Sequence, residues 1–355
     1  MNANKVGVLT FHRCFNYGSY WQARCLVEAI QSLGHDAELL DHDCDWVNRA
    51  EGRCLMQPTL PIRSPRADMP SYKRKGRKFL AAADALPLSP RFSLHAPDAA
   101  PRYRSIVVGS DEVWNFQHPW YGSKPIFFGS GLGADRLVSY AASFGNHDAA
   151  SGIDPYWSDM LGRFDSLSVR DANSRALVQG ALGAEPELVV DPVLLYPQAI
   201  RTNGHTEPAP YALVYGHGFP EWLATAVTRW SRRRGRRLLS VGYRNDWADE
   251  QRLDAGPDEF AALMAGADAV VTNFFHGCVF ALVNGKPWVS TPTAYRFNKI
   301  RDLAAALDAG DHIVREDVTD ARLDELLSAP LSATIGDRMT VLRERSRAFL
   351  AAALA

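Results

Sequence analysis

The sequence predicts an α/β protein made of two Rossmann-like domains. Three observations carry this. Apolar runs of strand type alternate with stretches of helical periodicity from residue 5 onward, the order that produces a parallel sheet. The alternation starts afresh near Tyr211. The chain has 355 residues, 46% apolar and 22% charged, which suits two ordinary cores better than one.

Residues 5–11 (KVGVLTF) read as a strand that ends in a polar, glycine-containing turn at 12–19. Trp21, Cys25, Leu26, Ala29, Ile30 and Leu33 then recur at helical spacing, and Gly34 stops that helix. Residues 37–41 form the next strand and complete a β-α-β unit. Residues 45–104, rich in Pro, Arg and Ser, break the rhythm and read as a loop-rich insertion with one helix at 72–83. Strands resume at 105–109, 137–143, 166–169 and 187–190, with helices at 154–164 and 172–181. The second series places strands at 211–215, 237–242, 268–272 and 287–290. Its helices are expected at 220–234, 257–266, 275–284, 298–308 and 317–328. Ile335, Met339, Leu342 and Phe349 fall on one stripe of a last helix. The expected division is 1–195 for the first domain, which carries the insertion, 196–334 for the second, and 335–355 for the closing helix.

The formal net charge of −1 gives no global field toward nucleic acid or an anionic membrane. Basic runs at 73–78 (KRKGRK) and 232–237 (RRRGRR) read as solvated helix faces. Five cysteines, with no Cys-x-x-Cys pair and no metal-ligand spacing, point to reduced thiols and a cytoplasmic setting. No apolar run approaches the ~20 residues that cross a bilayer. No metal or bound cofactor is expected.

In a doubly wound sheet, ligands bind beyond the carboxyl ends of the strands. The strand-end segments here are Thr10-Phe11-His12 with Asn16-Tyr17-Gly18 and Gln22, Val108 through Asn115 (VGSDEVWN), Ser139 through Gly145 (SYAASFG), Ser168-Val169-Arg170-Asp171, and Val190 through Leu194 (VDPVL). They are followed by Thr272 through Gly277 (TNFFHG), continued by Phe280-Ala281-Leu282 and Lys286-Pro287, and by Arg296 through Ile300 (RFNKI) with Leu303. Together and in this order they resemble the polysaccharide pyruvyl transferase family, from residue 5 to about 305. The resemblance implies a fold like that of the two-domain GT-B glycosyltransferases, with a cleft between the halves. It implies an enzyme that moves the enolpyruvyl group of phosphoenolpyruvate onto sugar hydroxyls as a pyruvyl ketal, in polysaccharide or glycoconjugate synthesis. The partners implied are phosphoenolpyruvate as co-substrate and a sugar, nucleotide-sugar or lipid-linked saccharide as acceptor. A lipid-linked acceptor would bring the protein to the membrane surface.

That chemistry needs a held phosphate and carboxylate, a proton for the methylene carbon, and a base for the sugar hydroxyl. Arg170, at a strand end, suits a bidentate clamp, and the resemblance associates it with phosphoenolpyruvate; the alternative is an ion pair with Asp171 or another local acid. His276, at a strand–helix junction before Gly277, suits a general acid or phosphate ligand. Some members of the family it resembles carry Arg shortly before this His; Phe274 and Phe275 stand here instead, so a positive charge is missing. Asp111, beside Ser110, reads either as the base that takes a sugar proton or as a helix cap. Asn16, Tyr17 and Gln22 are candidates to hydrogen-bond a substrate or to form only a turn, and Trp114 to stack on a sugar or to fill the core. Ser110, Asn273, Gly277, Lys286, Arg296 and Lys299 complete the expected substrate- and donor-binding set. Asp191-Pro192 reads as a domain-boundary turn, and His12 and His217 carry no assigned role. Two rival functions share these residues. One is a nucleotide-sugar glycosyltransferase of the same form. The other is a non-catalytic glycan-binding relative, which the missing charge at 274 and 275 keeps in play.

Overall fold

The computed structural model describes residues 5–200, 207 and 209–355. Residues 201–206 and 208, close to the expected domain boundary after residue 195, lie outside the described residues. The chain forms two compact units. Unit 1 holds 1–51, 83–199 and 339–355, and unit 2 holds 52–82 and 200–338. Neither unit is one continuous stretch of sequence, unlike the division the sequence suggests.

The sheet of unit 1 uses strands β1 (Lys5–Leu9), β2 (Asp36–Leu39), β3 (Tyr103–Val108) and β4 (Ala134–Ser139), in the order β2-β1-β3-β4. All its pairings are parallel, with Val6 opposite Ala37 and Ser105, and Val107 opposite Val138. Bridges from Val138 to Ser166 and from Ala142 to Val169 carry it on to a short parallel pair, Ser168–Val169 with Glu187–Leu188. The crossover after β1 is helix α1 (Tyr17–Ser32). Helix α2 (Asp45–Met56) and helix α3 (Met69–Asp84) follow, then α4 (Pro155–Leu161), α5 (Ala172–Leu182) and α6 (Pro192–Leu195). β1 and β3 are buried along almost their whole length, as strands covered on both faces must be. Leu9, Ile106, Val108, Trp114, Phe127, Phe128 and Phe144 belong to one core cluster.

Unit 2 is built on β5 (Tyr211–Tyr215), helix α7 (Glu221–Arg234), β6 (Arg237–Val241), β7 (Glu250–Arg252) and helix α8 (Pro257–Gly266). It continues with β8 (Ala269–Thr272), helix α9 (Phe275–Val283), β9 (Trp288–Ser290), α10 (Ala294–Leu307) and α11 (Asp320–Ser328). The sheet order is β7-β6-β5-β8-β9, again all parallel. Val214, Leu223, Val227, Trp230, Val271 and Val289 share its core.

Two features depart from the sequence reading. Residues 45–104 are not mainly loop, since they contain both α2 and α3. Polar α2 (DWVNRAEGRCLM) buries only Val47 and Glu51, so its apolar periodicity is too weak to be read. α3 belongs for most of its length to unit 2, where Arg74 pairs with Asp254 and Lys78 with Glu259. The second departure is the last helix, α12 (Ala333–Leu354), most of which packs with unit 1. Ser346 Oγ accepts the Val190 amide at 2.9 Å, and Arg343 Nε donates to the Leu194 carbonyl at 2.7 Å.

Close packing at the β8–α9 junction turns on one residue. A β-carbon on Gly277 would lie 2.0 Å from Thr272 Oγ1, which is itself fixed by donating to the Tyr215 carbonyl at 2.6 Å. Gly277→Ala should therefore cost about 1–3 kcal/mol of overpacking. That outweighs most or all of the roughly 1 kcal/mol by which Ala exceeds Gly in helix propensity. Urea unfolding checks this: the midpoint is expected to fall, and an unchanged or higher midpoint would show that Thr272 can give way.

Candidate functional site

In unit 1, β1 has β2 on one side and β3 on the other, so the chain leaves β1 and β3 in opposite directions. A crevice opens at such a switch point, beyond the carboxyl ends of the strands. Its walls are the loops after β1 (10–16) and after β3 (109–115). Thr10 Oγ1 donates across it to the Ser110 carbonyl at 3.1 Å.

Asp111 sits here in left-handed backbone, φ 69°, which short polar side chains tolerate better than most. Its Oδ2 accepts from Ser19 Oγ at 2.8 Å and its Oδ1 from Arg170 Nη2 at 3.1 Å. The second arm of the guanidinium, Nη1, donates to Asp191 Oδ2 at 3.0 Å. Ser110 Oγ also reaches Asp191 Oδ2, at 3.5 Å. Burial works against the charge on Arg170, but Asp111 and Asp191 outweigh it and push the pKa up. The Arg170 and Asp191 side chains are 1% and 0% exposed and that of Asp111 is 13%, so Asp111 is the member of this triad open to the crevice.

Several expectations change. Arg170 does not present its fork to solvent as a phosphate clamp, because two carboxylates occupy it. Asp171, next to it in sequence, caps α5, accepting from the Ser174 amide at 2.7 Å and Ser143 Oγ at 2.6 Å. Asn16 is the amino-terminal cap of α1 and accepts from the Gly18 and Ser19 amides. Gln22 is a buried brace, its amide donating to Thr10 Oγ1, the Phe11 carbonyl and the Ser19 carbonyl. Tyr17 is 1% exposed and belongs to the packing of α1. Trp114 is 1% exposed, with its indole N–H on the Phe127 carbonyl and its ring against Phe128, Phe144 and Phe164. Its burial leaves no ring face for a sugar. Asp191, read from sequence as a boundary turn, is the second acid of the triad.

The loop after β1 is tied from two sides. Asp41 accepts from His12 Nε2 at 3.0 Å, from Arg13 Nε at 2.5 Å and from Arg91 Nε at 3.2 Å. Burial opposes the Asp41 carboxylate, yet the donors on His12 and Arg13 prevail and hold its pKa well below the ordinary range. On the other side Glu51 accepts from the Phe15 amide and the Trp120 indole.

In unit 2 the switch point lies between β5 and β8. Asn273 Nδ2 donates to the His217 carbonyl at 2.7 Å and closes its floor. A side chain at Gly216 would come within 2.1 Å of Asn273 Oδ1, so the backbone there must be glycine. Aromatic rings gather at these strand ends. Phe274 lies 4.9 Å from Tyr215, 5.0 Å from Tyr243 and 5.6 Å from His217 between centroids, and His217 stacks on Tyr243 at 5.3 Å. The Arg296 guanidinium lies over Phe274, 4.3 Å from the ring centre. Burial and then Arg296 lower the His217 pKa to about 4. His276, 8% exposed, stands in the first turn of α9 with its ring edge-on to Phe275.

Arg296 thus returns a positive charge to the place where Phe274 lacks one. Lys299 lies on the same helix, its ammonium 5.7 Å from the Tyr295 ring centre. Lys286 does not join this group. It precedes β9, and in a parallel sheet that places it at the amino ends of the strands, the opposite edge from the crevice. Sequence reasoning missed Lys75 and Tyr243. Lys75 Nζ lies 5.1 Å from the Tyr243 ring centre and 3.4 Å from the Gly242 carbonyl oxygen, at the end of β6. A signal was available: Tyr72, Lys75, Phe79 and Ala83 form one buried stripe of α3 at helical spacing.

Arg170→Met should cost about 3–5 kcal/mol, because it leaves two buried carboxylates without their shared partner. One of them should then hold a proton in the folded state, its pKa raised by the other. A group with a raised folded pKa contributes stability at low pH that is lost as pH rises through it. The deficit against wild type should accordingly be smaller at pH 5 than at pH 8 in urea unfolding. A deficit independent of pH would mean that the two acids do not interact.

Comparison with known proteins accords with this architecture. The UDP-GlcNAc 2-epimerase from Neisseria meningitidis, in a structure bound to UDP-GlcNAc, is 8% identical with a TM-score of 0.50, over 96% of this chain and 98% of that one. S. aureus MnaA, in a co-structure with UDP, is 9% identical with a TM-score of 0.50, over 91% of this chain and 86% of that one. At such identities the likeness shows the fold alone, two Rossmann-like units in the GT-B form. No curated protein matches the sequence. The family model for polysaccharide pyruvyl transferase matches residues 16–294. The chain belongs to the polysaccharide pyruvyl transferase family, a family of transferases.

Proposed function

We propose that the protein transfers the enolpyruvyl group of phosphoenolpyruvate to two hydroxyls of a sugar, forming a pyruvyl ketal and releasing phosphate. The observations that support this are, taken unit by unit, a braced, partly open carboxylate in unit 1 and a histidine and an arginine at the strand ends of unit 2. In this reaction the methylene carbon C3 gains a proton and C2 becomes oxocarbenium-like. A sugar hydroxyl bonds to C2 and loses its proton. The C2–O bond to phosphate breaks, with the electron pair leaving on phosphate, and a second hydroxyl closes the ketal and loses its proton. Of the two hydroxyl protons, one balances the proton gained at C3 and the other leaves on phosphate.

Asp111 is the base for the sugar hydroxyl. Its two hydrogen-bond donors, Ser19 and Arg170, aim the carboxylate, and Arg170 acts as a positioning residue rather than a clamp on the donor. A dianionic phosphate would be repelled by Asp111 and Asp191, which supports donor binding in unit 2. There His276 is the acid for C3, and Arg296 meets the phosphate. Among the described residues no helix is long and apolar enough to cross a membrane. A membrane-linked acceptor would have to be met at the surface.

Phosphoenolpyruvate should raise the unfolding temperature of the protein by mass action. His276→Asn and Arg296→Met should reduce that shift, whereas Asp111→Asn should leave it intact. With a sugar acceptor, Asp111→Asn and His276→Asn should each lower phosphate release by roughly 10²–10⁴-fold. A shift with a UDP-sugar and none with phosphoenolpyruvate would overturn the proposal in favour of glycosyl transfer.

A further inference from the structure

Lys75 is the least expected residue of unit 2. It comes from α3, a helix this unit takes from the middle of the first domain's sequence, and it is 3% exposed. A lysine on the buried stripe of a helix is rare unless something requires its charge. Its neighbours on α3 turn outward and pair, Arg74 with Asp254 and Lys78 with Glu259, while Lys75 turns inward. Its ammonium approaches the carbonyl of Gly242 at 3.4 Å and the ring faces of Tyr243 and Phe79 at 5.1 and 5.6 Å.

We propose that Lys75 is a ligand-binding residue of the unit 2 crevice and meets a phosphoryl group, supplying with Arg296 the positive charge that Phe274 cannot. The aromatic group already described links the two cations. Tyr243, beneath Lys75, is 5.0 Å from Phe274, which lies beneath Arg296. Two cations on adjoining rings at the carboxyl ends of β6 and β8 suit an anion at the switch point. The role rests on the reading that a phosphate-bearing donor binds in unit 2.

The protonation of Lys75 follows from its surroundings. Burial lowers its pKa to about 7. Tyr243, after β6, is a titratable group whose ring the ammonium approaches, with His217 stacked on Tyr243 and Arg244 next to it in sequence. Arg244 is committed to Asp68 and Asp246, and burial with Arg296 lowers the His217 pKa to about 4. An anion brought to Lys75 would restore its ordinary preference for the charged form, so binding at pH 8 takes up a proton.

The test compares wild type with Lys75→Met and Lys75→Arg, using phosphoenolpyruvate and inorganic sulfate as probes. Calorimetric titration at pH 8 in buffers of different ionisation enthalpy counts protons. Wild type should take up nearly one proton more per bound phosphoenolpyruvate than Lys75→Arg, whose charge is permanent. Lys75→Met should bind both probes at least tenfold more weakly. Without ligand, Lys75→Met should melt higher than wild type at pH 7, since it removes a buried charge. That gain should shrink toward pH 10, because folded Lys75 is neutral above its lowered pKa and the unfolded lysine, with its ordinary pKa of about 10.4, begins to lose its proton there. Affinities within twofold of wild type in Lys75→Met overturn the proposal, as does equal proton uptake by wild type and Lys75→Arg, or no binding of either probe. Sulfate binding that needs Lys75, with no binding of phosphoenolpyruvate, keeps the role of Lys75 and overturns the pyruvyl-transfer reading.

Discussion

The organisation of unit 1 depends on one guanidinium. Arg170 joins the loop after β3, through Asp111, to the turn that opens α6, through Asp191, and it does so from the end of a two-residue strand. These three segments are far apart in sequence, and two of them present acids to the same place. Without Arg170 the acids would repel each other in a poorly solvated space. With it they are drawn inward, at a desolvation cost that leaves little net gain in stability. Geometry is what the arrangement supplies: one carboxylate, Asp111, is held at a defined angle at the mouth of the crevice.

The two switch-point crevices differ in kind. That of unit 1 is lined by hydroxyls and carboxylates and would receive neutral polyols well and anions poorly. That of unit 2 is lined by aromatic faces carrying cations. A cation on a ring face is less completely solvated than one in water, and a phosphate arriving there meets partly desolvated charge. Because a ketal-forming reaction needs a base for hydroxyls and a cationic hold for phosphate, this division of labour fits it.

Much of this was legible from residue pattern. The β-α alternation follows from local periodicity, while the order of the strand-end motifs and the candidate roles of Asp111, Arg170 and His276 rest on turn chemistry together with the family resemblance. What remained hidden was long-range. The partner of Arg170 could not be read from sequence, since Asp171 is adjacent but Asp191 and Asp111 are the acids its fork reaches. Asn16, Gln22 and Trp114 sit at positions where a substrate ligand and a structural brace have the same residue types, and only their burial and hydrogen bonds separate the two. Lys286 failed because a motif's place in the chain does not say which end of the sheet it occupies. Lys75 was lost in a run of basic residues whose other members are exposed or half-buried.

The exchange of segments between the units bears on how the chain can fold. Unit 1 contains residues 339–355, and the Val190 amide and Leu194 carbonyl find their partners there. During synthesis, then, everything up to residue 199 can emerge without completing the first unit. The Val190 amide and the Leu194 carbonyl must wait for these partners until the whole of the second unit has been made. Cutting the chain between 199 and 209 would yield no pair of self-sufficient fragments, since the amino-terminal piece would keep α3 and lack α12. The two units are thus bound into one folding problem by the path of the chain.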